Sequence, residues 1–442
     1  MLRFTPRELQ ALDELGTTRF DRGVRWLLIG FFLAVIVTVP IFESVADYRA
    51  NVQKRSIMLA AGADSSELPS RRPHFFDVLT LFPSPRAIFA AHGPHEWIGL
   101  LPSSRQLRAF EDELLLNSAA GKRLRPWVQW ALTAWLGTGS EKVLYGTDGW
   151  LYYNDGVQYV TGNGFLEPSE LAHRADEGFD ADPRPAILQL HRELQALGVT
   201  LIVLPIPDKA VVRPSSLSQR ARFERPVQNP SWNAFIADLR SQGVLLLDLT
   251  QEMFDAERAG TPQFLRGDSH WSAAGIDRTA QAVARIITSQ RVWPSSQPRQ
   301  YERRVIRIDH ANDLVALLDL PSSRARALGL HELVPVAQVI DDSSRLWQPD
   351  SASDILLIGD SFLEAFSEGS GSAAAGGLAE QVSYYLQQPV DRKASHLFGP
   401  LDAREALGLS LEEVRQHAMH RKIIVWEFAV RKLAMGNWPV LH

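Results

Sequence analysis

The sequence predicts an α/β fold: a parallel sheet with helices on both faces, preceded by a transmembrane helix and a helical stalk. Two observations carry this reading. From residue 141 onward, short apolar runs alternate with longer amphipathic stretches, the pattern of strand–helix–strand crossovers in a sheet covered on both sides. Near the N-terminus, Trp26 to Phe42 (WLLIGFFLAVIVTVPIF) is 17 residues without a charge.

That run comes first in the chain. At 1.5 Å per residue a helix over it is roughly 26 Å long, just under the ~30 Å hydrocarbon core. Twelve of its residues are Leu, Ile, Phe or Val, which favours insertion by roughly 4–7 kcal/mol before Gly30, Thr38 and Pro40 are counted. Arg3, Arg7, Arg19, Arg22 and Arg25 precede it, and positive residues stay cytoplasmic. The expected layout is a cytoplasmic tail over 1–25, a single-pass inner-membrane anchor over 26–42, a stalk over 43–140, and an α/β domain over 141–442 outside the cytoplasm. A cleaved signal peptide is the competing reading, since Ser44-Val45-Ala46 has small–x–small character.

The stalk is punctuated by Pro69, Pro73, Pro83 and Pro85. A helix is expected over Glu111 to Leu136, split by Gly121 and Pro126, with Leu114, Leu115, Trp127, Val128, Leu132 and Trp135 as its apolar residues. Next, Val143–Tyr145 and Trp150–Tyr153 flank Gly146-Thr147-Asp148-Gly149, a hairpin signature. Helices follow over Ala186–Leu197, closed by Gly198, over Trp232–Leu239 and over Ala273–Thr288. Strands are expected over Leu201–Leu204 (stopped by Pro205), Val244–Leu249, Asp354–Ile358 and Ile423–Phe428. Ser367 to Gly377 (SEGSGSAAAGG) reads as a loop.

Composition excludes several functions. With 442 residues, 45% of them hydrophobic, the chain can bury a large core, and a net charge of −5 does not suit a general nucleic-acid binder. The absence of cysteine removes disulfides, thiolate metal sites and thiol nucleophiles.

Two short stretches carry chemistry. Ser361, in Ile358-Gly359-Asp360-Ser361-Phe362, ends an apolar run, where ligands bind outside the carboxyl ends of parallel strands. Asp268-Ser269-His270-Trp271 offers a carboxylate and an imidazole two positions apart, on one face if the stretch is extended. A serine hydroxyl needs a base, and the base needs a partner that fixes its tautomer. A capping role for Ser361, a loop role for Asp268, and a metal site of Asp268, His270 and Asp360 are the competing readings; no other histidine falls at ligand spacing.

In order along the chain, VLYGTDGWLYY (143–153), LIVLPIPDK ending at Lys209, GDSHWSAAG (267–275), IGDSF (358–362) and IVWEF (424–428) followed by Arg431 resemble the AlgJ/AlgX-like polysaccharide O-acetyltransferase family, with its SGNH-hydrolase-like domain. The resemblance covers about residues 105–442. It implies that Ser361 is the nucleophile, His270 the base and Asp268 its orienter, in a transfer of acetyl to sugar hydroxyls through an acyl-serine. It implies an extracellular polysaccharide acceptor, a membrane-bound O-acyltransferase as acetyl donor and a periplasmic site of action; no cofactor and no metal are expected. The chain ends soon after Arg431, so it is expected to lie closer to AlgJ than to AlgX. Lys209, Trp426 and Arg431 are candidate substrate-binding residues, each with an architectural alternative. Asp313, in NDLVALLDLP, reads as architecture. An acetylesterase of the same fold, or a non-catalytic polymer-binding subunit of an export complex, remains open.

Overall fold

The structure is a computed structural model that describes residues 22–60, 82, 101–103, 107–108, 110–111, 118–217, 223–290, 298–367, 375–394 and 421–440. Most of the expected tail and stalk, Leu114 and Leu115, and the centre of the 367–377 loop lie outside these residues. The chain forms two compact units, 1–128 and 129–442.

In the first unit, α1 (Arg22–Ala60) is one continuous helix that contains the apolar run. Trp26, Leu27, Phe31, Phe32 and Leu33 are exposed along it. Among the described residues no helix is long and apolar enough to cross a membrane. The anchor expected over 26–42 is therefore not established by the fold. Helix α2 (Ala119–Leu136) carries Pro126 in its interior.

The second unit is built on a five-stranded, all-parallel sheet. Its strands are β3 (Thr200–Ile206), β4 (Leu245–Leu246), β7 (Ile355–Gly359), β8 (Asp391–Ala394) and β9 (Ile423–Ala429), in the order β4-β3-β9-β7-β8. Every residue of β7 and β9 is buried, which requires cover on both faces and explains why these strands read as unbroken apolar runs. Helices α3 (Pro183–Ala196) and α4 (Ala273–Ser289) add their apolar faces to the same core. The first begins at an Asp182 cap with Pro183 at its first position, the second at a Ser272 cap.

The expected hairpin forms: β1 (Val143–Tyr145) pairs antiparallel with β2 (Leu151–Tyr153). Two strand expectations need correction. Strand β3 does not stop at Pro205 but runs through it to Ile206. Val203 O, on the β4 side, accepts from Leu247 N, and β4 ends at Leu246. Pro205 has the parity of Val203, so its missing N–H faces a side where β3 no longer has a neighbour. Strand β4 is correspondingly two residues long, not six. The sequence reading also missed a long antiparallel hairpin, β5 (Tyr301–Ala311) with β6 (His331–Asp341), paired over all eleven residues from Tyr301↔Asp341 to Ala311↔His331. It lies outside the central sheet, between α4 and β7 in sequence.

Candidate active site

Strand β7 delivers Ser361. The chain leaves the sheet at Gly359, where a Cβ would meet Glu427 Oε2 at 2.2 Å and Glu427 Cβ and O at 3.0 Å, so any larger residue would displace the Glu427 carboxyl and press on β9. Asp360, not Ser361, then caps the short helix α5 (Ser361–Glu364), its Oδ1 accepting from Phe362 N (2.9 Å) and its Oδ2 from Ala429 N (3.1 Å). Asp360 is thus fully engaged, and Ser361 is left as the first helical residue with its hydroxyl directed at His270. Burial opposes ionisation of Asp360, but Lys432 (3.1 Å), Arg431 and the two N–H donors outweigh it and hold the carboxyl down at about 2. Its neighbour Glu427, buried and beside that negative charge, is pushed well above the carboxylate range.

His270 and Asp268 sit on a bend, not on the extended stretch expected from the sequence. They still meet, because Asp268 Oδ1 accepts from both the backbone N–H of His270 (2.9 Å) and its ring Nδ1–H (2.7 Å). The side chain folds back on its own loop, as aspartates do in turns. His270 Nε2 lies 2.9 Å from Ser361 Oγ. The three candidate residues, with His270 and Ser361 91 positions apart, therefore form one continuous series, Ser361–His270–Asp268. Burial works against a charged ring, but the hydrogen bond and charge of Asp268, with Asp313 behind it, outweigh burial and lift His270 to about 9. Asp268 is held well below its usual range: burial opposes this, and the bonds from His270, His310 and Asp313 N overcome it.

Two residues of this site were not identified from the sequence. His310 Nε2–H donates to Asp268 Oδ2 (2.9 Å), and Asp313 N donates to the same oxygen (2.9 Å). The Asp313 carboxylate accepts from Ser269 N (2.7 Å) and in a short bond from Ser269 Oγ, and lies 3.7 Å from His270 Nδ1. Burial and the charge of Asp268 raise the Asp313 pKa, an effect that water screens because the side chain keeps 35% of its exposure. Asp313, read as architecture, is therefore part of the site. No local signal marks His310, which acts across more than forty positions of sequence; Asp313 lies in NDLVALLDLP, a stretch that resembles a family segment but whose role the sequence does not give.

Lys209 is buried, and its ammonium donates to three main-chain carbonyls: Leu151 O (2.8 Å), Arg266 O (3.3 Å) and Asp268 O. Burial pulls its pKa down to about 7, yet three acceptors match the three donors of the charged form. Lys209 thus ties β2 and the 266–268 loop together and is not presented to substrate. Trp426 is corrected more firmly: 1% exposed, it packs edge-on and tilted against Phe428 (5.3 Å) and Trp438 (5.9 Å) in the core and cannot line a sugar groove. Arg431 pairs with buried Asp208 and lies over the rings of Tyr153 (5.2 Å) and Phe362 (5.6 Å), next to the nucleophile. Trp271 is buried with its edge against Phe362 (5.4 Å) and packs the loop from beneath.

Donor atoms of Asp268, His270 and Asp313 approach within 4.8 Å of one another. Asp268 already accepts four hydrogen bonds and Asp313 two, so these groups satisfy one another, and we assign them no ion. Asp360, the third member of the metal reading, faces Lys432 instead. A cleft of about 680 Å³, lined among others by Arg225, Gln228, Trp232, Asp248 and Gln251, opens beyond the end of β4, away from the serine.

Sheet and site together define a class: a parallel α/β domain with a serine at the carboxyl end of a strand, hydrogen-bonded through a histidine to an aspartate. Such a series can polarise a hydroxyl toward acyl transfer. Residues 143–430 match the profile of the SGNH hydrolase-like domain, acetyltransferase AlgX, and the chain belongs to that family. It is 26% identical over 263 residues to the alginate biosynthesis protein AlgX of Pseudomonas aeruginosa, covering 58% of this chain and 52% of that one. It is 26% identical over 184 residues to the probable alginate O-acetylase AlgJ of the same organism, covering 41% and 42%. The chain thus spans about half the length of the curated relatives it matches, or less. Superposition on the O-acetyltransferase domain of Pseudomonas putida AlgJ covers 67% of this chain and 93% of that one, with a TM-score of 0.49 and 21% identity.

Proposed function

We propose that this chain is an O-acyltransferase that moves acetyl through an acyl-serine on Ser361 onto hydroxyls of an exported bacterial polysaccharide. The observation that carries the reading is the Ser361–His270–Asp268 series at 2.9 and 2.7 Å. Membership of the acetyltransferase family supports acetyl as the group moved, and the names of the relatives support a polysaccharide as acceptor. In the reaction, His270 takes the proton of Ser361 as Oγ attacks the acetyl carbonyl, and Asp268 stabilises the imidazolium that forms. The Ser361 N–H, not used by the Asp360 cap, points to one oxyanion donor, a contact commonly contributing about 2.7–4 kcal/mol. The imidazolium then returns its proton to the leaving group; a sugar hydroxyl, deprotonated by the same ring, attacks the acyl carbonyl, the bond to Ser361 Oγ breaks, and the imidazolium gives its proton back to Oγ.

We further propose that residues 26–42 anchor the chain in the inner membrane with its N-terminus cytoplasmic. The second unit would then act in the periplasm beside a membrane-bound O-acyltransferase that supplies acetyl. The exposed apolar side chains of α1 and the arginines before them support this.

The test is an acetyl-ester assay with and without an oligosaccharide acceptor. Transfer yields acetylated sugar at the expense of free acetate, whereas an esterase yields acetate alone at an unchanged rate. Ser361→Ala is expected to lower turnover by at least about three orders of magnitude while leaving the fold intact. Full activity in that variant, or a purely binding phenotype in the wild type, contradicts the proposal.

A further inference from the structure

Asp268 has two oxygens with different owners. Oδ1 belongs to His270, through its backbone and ring N–H. Oδ2 belongs to the 310–313 segment, through His310 Nε2–H and Asp313 N. A carboxylate that accepts four hydrogen bonds has used its lone pairs, and turning it about its terminal torsion would break all the side-chain bonds at once.

The segment that supplies Oδ2 is rigidly seated. Ile306, Ile308 and His310 lie on the half-buried side of β5, and His310 pairs with Glu332 across the hairpin. Just beyond, Asn312 is 1% exposed, donates from its backbone N–H to Leu330 O (2.8 Å) and from Nδ2 to Gly329 O. Val315 N donates to Gly267 O (3.3 Å), and a Cβ on Gly267 would meet Asn312 Nδ2 at 2.9 Å. A hairpin outside the central sheet is thereby fastened to the loop that bears the base.

We infer that His310 is a positioning residue of this site, fixing the second oxygen of Asp268 so that the β5–β6 hairpin sets the orientation and basicity of His270. The inference rests on the acyl-serine reading only for its kinetic part. The His310 ring packs on Phe366, centroids 5.0 Å apart, and its Nδ1 is buried without a partner. The hydrogen bond to Asp268 Oδ2 requires a proton on Nε2, and Nδ1 takes no part in it. This donor and Asp313 N together hold Oδ2, so the carboxylate cannot turn away from His270 without losing both. The other charged groups facing the pair come from separate elements: Lys209 on Asp268 O, Asp313 beside His270 Nδ1, and Arg431, whose charge opposes protonation of His270. None of their side chains donates to Oδ2.

The test compares His310→Phe, which keeps a ring against Phe366 but removes the donor, with His310→Gln, which restores an N–H. Turnover of a small acetyl ester by the full-length chain is measured from pH 5 to 10, and the His270 ring is titrated by NMR in the Ser361→Ala background. Loss of the Oδ2 donor leaves Asp268 a stronger partner for the imidazolium. His310→Phe should therefore move the rising limb and the ring titration to higher pH and lower kcat about 10–100-fold. His310→Gln should recover most of both. Equal losses in the two variants with an unmoved limb, or an unchanged rate in His310→Phe, overturn the inference. The ring titration reads the brace even if no ester is turned over, so failure of the acyl-transfer reading is seen separately.

Discussion

Asp268 receives four N–H donors in the interior, and His270 draws most of its basicity from that carboxylate, with Asp313 behind it. Only the neutral ring can take the Ser361 proton. Because Asp268 lifts His270 to about 9, activity should rise with pH through the range above the ordinary imidazole value of about 6.5. Asp268→Asn should bring that limb down toward 6.5 and lower kcat by about four orders of magnitude; a pH–rate profile of both proteins checks the two effects together. The same shift enters stability with a definite sign. The folded-state pKa is raised, so the contribution of the pair is complete below about 6.5 and fades as pH climbs toward 9. Residue identity made Ser361, His270 and Asp268 legible, since each lies in a compact motif. It could not disclose the roles of His310 or Asp313, which exist only through contacts with residues more than forty positions away. Trp426 was misjudged because an aromatic in a strand says nothing about whether its face is covered.

At the scale of elements, the site depends on how closely β7 and β9 approach and on how the 266–268 loop is tied down. Gly359→Ala would drive a methyl into Glu427 and is expected to cost about 1–3 kcal/mol, with a further loss of turnover as Asp360 and Ser361 shift. Urea unfolding and ester kinetics on that variant read the two consequences apart. Lys209→Met would strip three carbonyls of their buried donor, expected to cost about 3 kcal/mol or more and to loosen Asp268; thermal melting should show the loss directly. The central strands were readable because burial on both faces leaves a continuous apolar run. The β5–β6 hairpin was not, because Arg303, Arg304 and Arg307 interrupt β5 and its short half-buried alternation, Ile306, Ile308 and His310, is hidden among charges. Pro205 misled for a related reason: the rule that proline ends a strand fails where the neighbouring strand has already ended.

Across the whole molecule, the exposed apolar side chains of α1 need a cover, and a bilayer is the cover proposed. The full-length chain should then resist alkaline carbonate extraction from membranes, with its second unit open to protease from the periplasmic side. Release into the soluble fraction would contradict the anchor while leaving the enzymology untouched. Fold class and family were legible because motifs of the α/β domain survive as an ordered set; the fine assembly of the site was not, because a hairpin far outside the motifs completes it. The most direct test of the central claim is the mass of the intact chain, followed by peptide mapping, after brief exposure to a chromogenic acetyl ester. The account predicts a single acetyl group on the peptide containing Ser361, absent from Ser361→Ala and slow to form in His270→Ala. No adduct at any time, or an adduct on another residue that persists in Ser361→Ala, would contradict it.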